Sequence, residues 1–168
     1  PPPRFFDDID ERFSYGAIRD PWRTHYSRPI ENQLDVPHVP FVHRNTIGRG
    51  MGRVMDGPWV EWLDPDRMRV FMHARPDDGT LPRKPEEMPR PDTGFWLDFI
   101  FPNLWQNHLG DTSRIVIAFA PVDDENCLLY LRFYQKFIRT PVVRDVVNRL
   151  SMPLNGGIAH QDRRVVQT

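Results

Sequence analysis

Two histidines stand five residues apart in the run Glu31-Asn32-Gln33-Leu34-Asp35-Val36-Pro37-His38-Val39-Pro40-Phe41-Val42-His43, with an acid three positions before the first and apolar residues between. Neutral imidazole is a ligand for zinc, copper, iron and nickel ions. Five residues along a regular helix turn through about 500°, which leaves the two rings about 140° apart, and along a strand they face opposite sides. Convergence on one ion therefore requires irregular backbone. Pro37 and Pro40 supply a cause, since each removes an amide donor and disfavours a straight helix. A third ligand must come from far away in the chain. If it is a carboxylate, the set is the facial triad of non-haem Fe(II) oxygenases, which leaves positions open on the opposite face. The competing reading is a turn whose histidines cap backbone groups or face solvent.

The elements that must position this pair are legible from the pattern around it. The chain has 168 residues, enough for one domain with a core. At 39% hydrophobic and 27% charged it can bury that core and does not read as disordered. Residues 1–29 are rich in proline, charge and aromatics without a sustained period, and read as an irregular lead-in packed onto the domain of residues 30–168. Val54 to Ala74 reads as a hairpin turning at Asp64-Pro65-Asp66, and residues 75–91, with their prolines, as a mobile loop. Three β-like runs follow, Phe95–Phe101, Arg114–Ala120 and Cys127–Tyr134. Val142, Val143, Val146, Val147 and Leu150 then fall at helical spacing, with Pro141 in the first turn and Pro153 beyond the end, before Gly156-Gly157 and a last helical or irregular stretch. Strands in sequence followed by a C-terminal helix predict an α+β domain, an antiparallel sheet with helices on one face and room for a ligand between them.

Composition narrows the function classes. Lys+Arg 22 against Asp+Glu 23 gives a net charge of -1, so there is no global field to hold nucleic acid or an anionic membrane. No run approaches the roughly 18 apolar residues of a membrane span, and no signal-peptide pattern opens the chain, which reads as cytoplasmic. Cys127 is the single cysteine, which excludes an internal disulfide and any Cys-ligated iron–sulfur cluster built by this chain alone.

The segment Glu31-Asn32-x-x-Asp35-x-x-His38-x-x-x-x-His43-x-x-Thr46-Ile47-Gly48 closely resembles the iron-site motif of the Rieske-type aromatic-ring-hydroxylating oxygenases, in the catalytic domain of the terminal oxygenase. Gln161-Asp162-Arg163-Arg164-Val165-Val166 resembles the stretch where that family places its carboxylate ligand. The resemblance implies that His38, His43 and Asp162 hold a mononuclear Fe(II). It implies that Asp35 is the bridging aspartate of electron transfer, its carboxylate taking a ring N–H of an iron-site histidine, and that Asn32 lies near the iron as a positioning residue. The fold implied is the helix-grip, START-like domain, a curved antiparallel sheet wrapping a C-terminal helix. The reaction implied is insertion of oxygen from O₂ into a small organic, often aromatic, substrate. Electrons would come from a Rieske [2Fe–2S] centre reduced by a ferredoxin or flavin reductase using NAD(P)H, within a homotrimer.

The departure from the family is that the C-x-H and C-x-x-H pairs of a Rieske centre do not occur here. The chain therefore reads as the catalytic domain of a longer polypeptide, residues 1–29 leading in from the Rieske domain, and as inactive by itself. Phe101, Asn103, Trp105 and Ile158 are candidates for the substrate pocket, against plain core for the aromatics and a solvated turn for Asn103, Asn107 and His108. Two other functions compete. A START-like carrier of lipids or small molecules shares the fold but has no reason to keep the triad. A hydrolytic zinc enzyme could use the same ligands, but no general-base motif such as H-E-x-x-H accompanies them.

Overall fold

Six strands run as an antiparallel meander: β2 (Val54–Asp64), β3 (Arg67–Arg75), β4 (Phe95–Ile100), β5 (Leu104–Leu109), β6 (Ser113–Pro121) and β7 (Cys127–Gln135). A seventh, β1 (Ser14–Trp22), pairs antiparallel with β7, so the sheet order is β1-β7-β6-β5-β4-β3-β2. The structure is a computed structural model that describes residues 5–167; Pro1 to Arg4 of the expected lead-in, and Thr168, lie outside the described residues. After β7 the helix α3 (Pro141–Val166) crosses back over β1 and β7, and α1 (Ser27–Leu34) packs against it. This is the α+β helix-grip architecture expected from the sequence.

Strand alternation sets the two faces. Val70, Leu97, Phe99, Trp105, Ile117, Phe119, Leu129 and Leu131 form one buried cluster, which Ala159 of α3 joins. Leu34 and Val36 pack on the same cluster, so the segment leading to His38 and the helix carrying Asp162 are seated on one core. The opposite face carries a second cluster of Phe6, Ile100, Val116 and Tyr134.

Four expectations need correction. Residues 14–22 are a strand, not irregular chain. Its inward positions include Gly16 and Asp20 along with Ile18 and Trp22, so the apolar alternation is diluted. Residues 104–109 are also a strand. Gln106 and His108 on it are buried, with Gln106 donating to Asp8 at 3.1 and 3.2 Å and the His108 ring bonded to the Gly94 carbonyl at 2.8 Å. The C-terminal helix does not stop before Pro153 but runs through it to Val166. Pro153 faces solvent, while Asn148, Met152, Ala159 and Asp162 are buried, so tertiary packing outweighs the lost amide donor. The loop after β3 is pinned rather than free: Arg83 donates to the buried Asp56 from its backbone (2.9 Å) and guanidinium (2.7 and 2.9 Å), and Arg75 adds a further contact.

Gly16 explains how α3 lies so close to β1. A Cβ there would stand 2.4 Å from the Asn148 carbonyl oxygen and 2.9 Å from Met152 Cγ. Nearby, buried Gln135 donates to Asn148 Oδ1 (3.2 Å) and Ser14 Oγ (3.0 Å), fixing the helix against the sheet edge. Gly16→Ala is expected to lower stability in urea unfolding by about 1–3 kcal/mol, the scale of overpacking. That exceeds the ~0.4–1 kcal/mol gained from a stiffer unfolded chain. An unchanged midpoint would mean that α3 does not seat on this strand.

Candidate metal centre

The segment carrying the two histidines is three short pieces of different winding. α1 ends at Leu34 with Asp35 as its C-cap, residues Val36–His38 form a 3₁₀ turn, and a single helical turn, α2 (Val39–Val42), follows. Pro37 and Pro40 occupy opening turns, where a missing N–H has no helical partner to lose. The His38 amide closes on the Asp35 carbonyl (3.3 Å) and the His43 amide on the Val39 carbonyl (3.0 Å). The rings flank α2 and converge, with centroids 5.2 Å apart. Asp162 arrives from α3, over a hundred residues later.

The three side chains meet at three atoms. His43 Nε2 lies 2.8 Å from Asp162 Oδ1, His38 Nε2 lies 3.3 Å from the same oxygen, and the two Nε2 atoms are 3.3 Å apart. Both Nδ1 atoms face acceptors, His38 the Asp35 carbonyl and His43 the Gln161 Oε1 at 2.7 Å. With Nδ1–H donating in each neutral ring, both Nε2 lone pairs point into a site whose third member is an anionic oxygen. Three acceptors at this spacing repel one another unless a cation or proton lies among them. Donors bound to one first-row ion at about 2.0–2.2 Å stand about 2.8–3.6 Å apart, so these residues fit such an ion. Asp162 Oδ1 is buried with no hydrogen-bond partner of ordinary geometry among the described residues, while Oδ2 accepts from Gln33 Nε2 at 3.0 Å.

The electrostatics agree. Burial opposes ionisation of Asp162, but the His38 and His43 rings that face it, which donate to the carboxylate and attract it whenever they carry a proton at Nε2, outweigh burial and hold the carboxyl well below its ordinary range. Burial likewise lowers the His43 pKa, but the Asp162 carboxylate and Gln161 raise it by more. In the ion-free chain a depressed Asp162 contributes stability above its unfolded pKa and loses it as pH falls. A raised His43 contributes below 6.5 and loses it as pH climbs past the folded value. Thermal stability without metal is thus expected to peak in mildly acidic buffer and to decline above pH 6.5, and His43→Gln should remove the alkaline decline. Melting curves from pH 4 to 9 check this.

Other expected site residues are placed differently. Asp35 contributes its backbone carbonyl, not its carboxylate, to His38, because the 3₁₀ turn lays the ring over the carbonyl three residues back. The Asp35 side chain is exposed in a groove of about 240 Å³ shared with Arg28, Glu31, Asn32, Val165 and Val166. Asn32 is half-buried, and its Nδ2 has no partner among the described residues. Phe101 and Asn103 lie at the β4–β5 turn instead of lining a cavity under α3. Phe101 is exposed, stacking on Trp62, and Asn103 clamps the turn to Phe119 through bonds of 2.8 and 3.0 Å. Trp105 belongs to the core cluster that Ala159 joins, and Ile158 is half-buried on α3.

Sequence reasoning did not find the roles of Gln33, Thr46, Gln161 and Asp20. Thr46 Oγ donates to Gln161 Oε1 at 3.1 Å. Asp20, buried on β1, accepts from Trp22 Nε1 and from Arg163, each at 2.8 Å, tying the turn of α3 beside Asp162 to the sheet. Thr46 and Gln161 were visible in the two motifs. Gln33 and Asp20 gave no signal.

Residues 22–168 match the family described as the vanillate O-demethylase oxygenase C-terminal domain. No individually curated protein matches the chain. Among solved structures, NdmA of Pseudomonas putida aligns over 98% of this chain and 44% of its own, at 14% identity and TM-score 0.67. The terminal oxygenase of carbazole 1,9a-dioxygenase from Nocardioides aromaticivorans aligns over 99% and 51%, at 12% identity and TM-score 0.67. Dicamba monooxygenase bound to dicamba aligns over 94% and 48%, at 13% identity and TM-score 0.60. The chain thus spans about half the length of these proteins, and at such identities they speak for the fold alone. A fold shared with Rieske-type oxygenases, and a family match running from the end of β1 through α3, lead to one conclusion: the chain belongs to the vanillate O-demethylase oxygenase C-terminal domain family.

Proposed function

We propose that this chain is the mononuclear-iron catalytic domain of a Rieske-type oxygenase, holding Fe(II) on His38 Nε2, His43 Nε2 and Asp162 Oδ1. The observation that carries the reading is the convergence of three unshared acceptor atoms within 3.3 Å, two with their tautomers fixed from behind. The ion, when bound, supplies O₂ activation for hydroxylation of a small organic substrate. A ring-bearing molecule is the leading class, in keeping with the carbazole and dicamba of the fold relatives. The chain's own residues orient the two imidazoles, seat the carboxylate, and bury His43 and Asp162 at 1% and 3% exposure, which keeps bulk water from the donor atoms. Electrons come from a Rieske [2Fe–2S] centre that another segment or subunit must provide, fed by a ferredoxin or flavin reductase. Asp35, exposed in its groove and linked to His38 through its own carbonyl, is the point of approach for that centre.

Anaerobic titration with Fe(II) tests the assignment. One equivalent is expected to bind, and nitric oxide added afterwards should give the spin-3/2 resonance of an iron nitrosyl, which requires an open position. Absence of stoichiometric iron, or bound iron that takes up no nitric oxide, would sink it.

A further inference from the structure

We propose that Gln161 is a positioning residue that holds His43 in its Nδ1–H tautomer, and that Thr46 fixes which end of the Gln161 amide faces the ring. The proposal deepens the metal-site reading by naming how one ligand is prepared. An amide side chain offers an acceptor at one end and a donor at the other, and rotation by 180° exchanges them. Facing His43 with its nitrogen, Gln161 would donate to Nδ1 and force the ring proton onto Nε2, the atom that must stay bare. Two donors prevent this. Gln161 Oε1 receives the His43 Nδ1–H at 2.7 Å and the Thr46 hydroxyl at 3.1 Å. The Thr46 hydroxyl also lies 3.3 Å from the His43 carbonyl, but that oxygen already accepts the Thr46 and Gly48 amides at 2.8 and 3.0 Å, so the single hydroxyl proton goes to Gln161 Oε1.

His38 has no comparable need, since its Nδ1 meets the Asp35 backbone carbonyl, which cannot turn round. His43 is the buried member of the pair and the one nearer Asp162, and it is the one whose partner is reversible. Gln161 adjoins Asp162 on α3, so one turn of helix delivers both the carboxylate and the group that prepares the ring opposite it.

The test uses ¹⁵N-histidine NMR of the metal-free chain, at a pH where His43 is neutral, together with Co(II) titration. The variants are Gln161→Met, which keeps length and loses the acceptor, Gln161→Glu, which keeps the acceptor, and Thr46→Val. The parent is expected to show His43 as the Nδ1–H tautomer. Gln161→Met should populate both tautomers and weaken Co(II) binding by about 10–100-fold, the usual cost of losing such a partner. Gln161→Glu should restore affinity and tautomer, which a merely space-filling role would not require. Thr46→Val should fall between and provides a second measurement if the methionine variant does not fold. An Nε2–H tautomer in the parent, or parent-like tautomer and affinity in both Gln161→Met and Thr46→Val, overturns the proposal. A parent that takes up no Co(II) sinks the metal reading instead, while the tautomer comparison still decides the role of Gln161.

Discussion

Asp162→Asn is expected to fold as the parent does and to lose the metal. The carboxylate is buried between two kinds of neighbour: Oδ2 takes a hydrogen bond from Gln33, and Oδ1 faces the two Nε2 atoms with no ordinary donor. An asparagine in the same rotamer keeps an oxygen for Gln33 and turns an amide N–H₂ toward the imidazoles. In the metal-free chain that supplies the hydrogens which three converging acceptors lack. Melting temperature should therefore match or exceed the parent's once the pH has passed the raised His43 pKa, where the parent no longer has a protonated His43 to pair with its carboxylate. The same change exchanges an anionic ligand for a neutral amide, so Co(II) or Fe(II) affinity should fall at least about 100-fold. Asp162→Ala loses the metal as well but leaves Gln33 unpaired and a void beside His43, and should be clearly less stable. Titration followed by visible absorption, paired with thermal melts, separates these outcomes. An asparagine variant that binds Co(II) within threefold of the parent would remove Asp162 from the ligand set.

This contrast between a site that repels itself and a fold that tolerates it shows where the strain is held. Three elements deliver the donors: the 3₁₀ turn, the end of α2, and α3. The first and the last are tied down by contacts that do not involve the metal. Val36 packs on the main core, α3 rests against β1 at Gly16, and Asp20 bridges Trp22 to Arg163 one residue beyond Asp162. Repulsion among three acceptors is thus held by packing distributed over the domain, and binding an ion releases it.

The ligands were legible because histidine and aspartate carry their chemistry in their identity, and because Pro37 and Pro40 advertise the irregular backbone that a five-residue spacing needs. The hairpin and the main strands were legible from β-branched and aromatic runs. What escaped shares a physical reason. β1 hides because three of its inward positions are not apolar: Ser14 accepts from Gln135, Gly16 makes room for α3 and Asp20 anchors Arg163. β5 hides because its buried polar residues are satisfied by Asp8, distant in sequence, and by the Gly94 carbonyl. The run of α3 through Pro153 depends on side chains buried either side of it. Gln33 and Gln161 escaped because an amide becomes a donor or an acceptor only once its neighbours are known.

Gly48→Ala is expected to damage fold and site together, and it shows why the Thr46-Ile47-Gly48 tail accompanies the histidines. A Cβ on Gly48 would stand 2.3 Å from the Val39 carbonyl oxygen, 3.0 Å from the Val39 carbonyl carbon and 3.1 Å from the His43 carbonyl carbon. All three obstacles are backbone, so no side chain can swing aside to admit the methyl group. The Val39 carbonyl also receives the His43 amide, and the His43 carbonyl receives the Gly48 amide, each at 3.0 Å. Pushing on either atom therefore tilts the short turn that aims both imidazoles. The conformation of Gly48 is not left-handed, so the penalty is steric, at about 1–3 kcal/mol for a change that the local backbone must absorb. Ligand geometry should suffer beyond that, with Co(II) affinity reduced at least about tenfold. Ile47→Ala is the control: Ile47 is exposed, and truncation there should stay within about 0.5 kcal/mol with unchanged affinity. If Gly48→Ala retained both the stability and the affinity of the parent, the glycine would be only a turn residue, and the seating of His38 and His43 would have to depend on α3 alone.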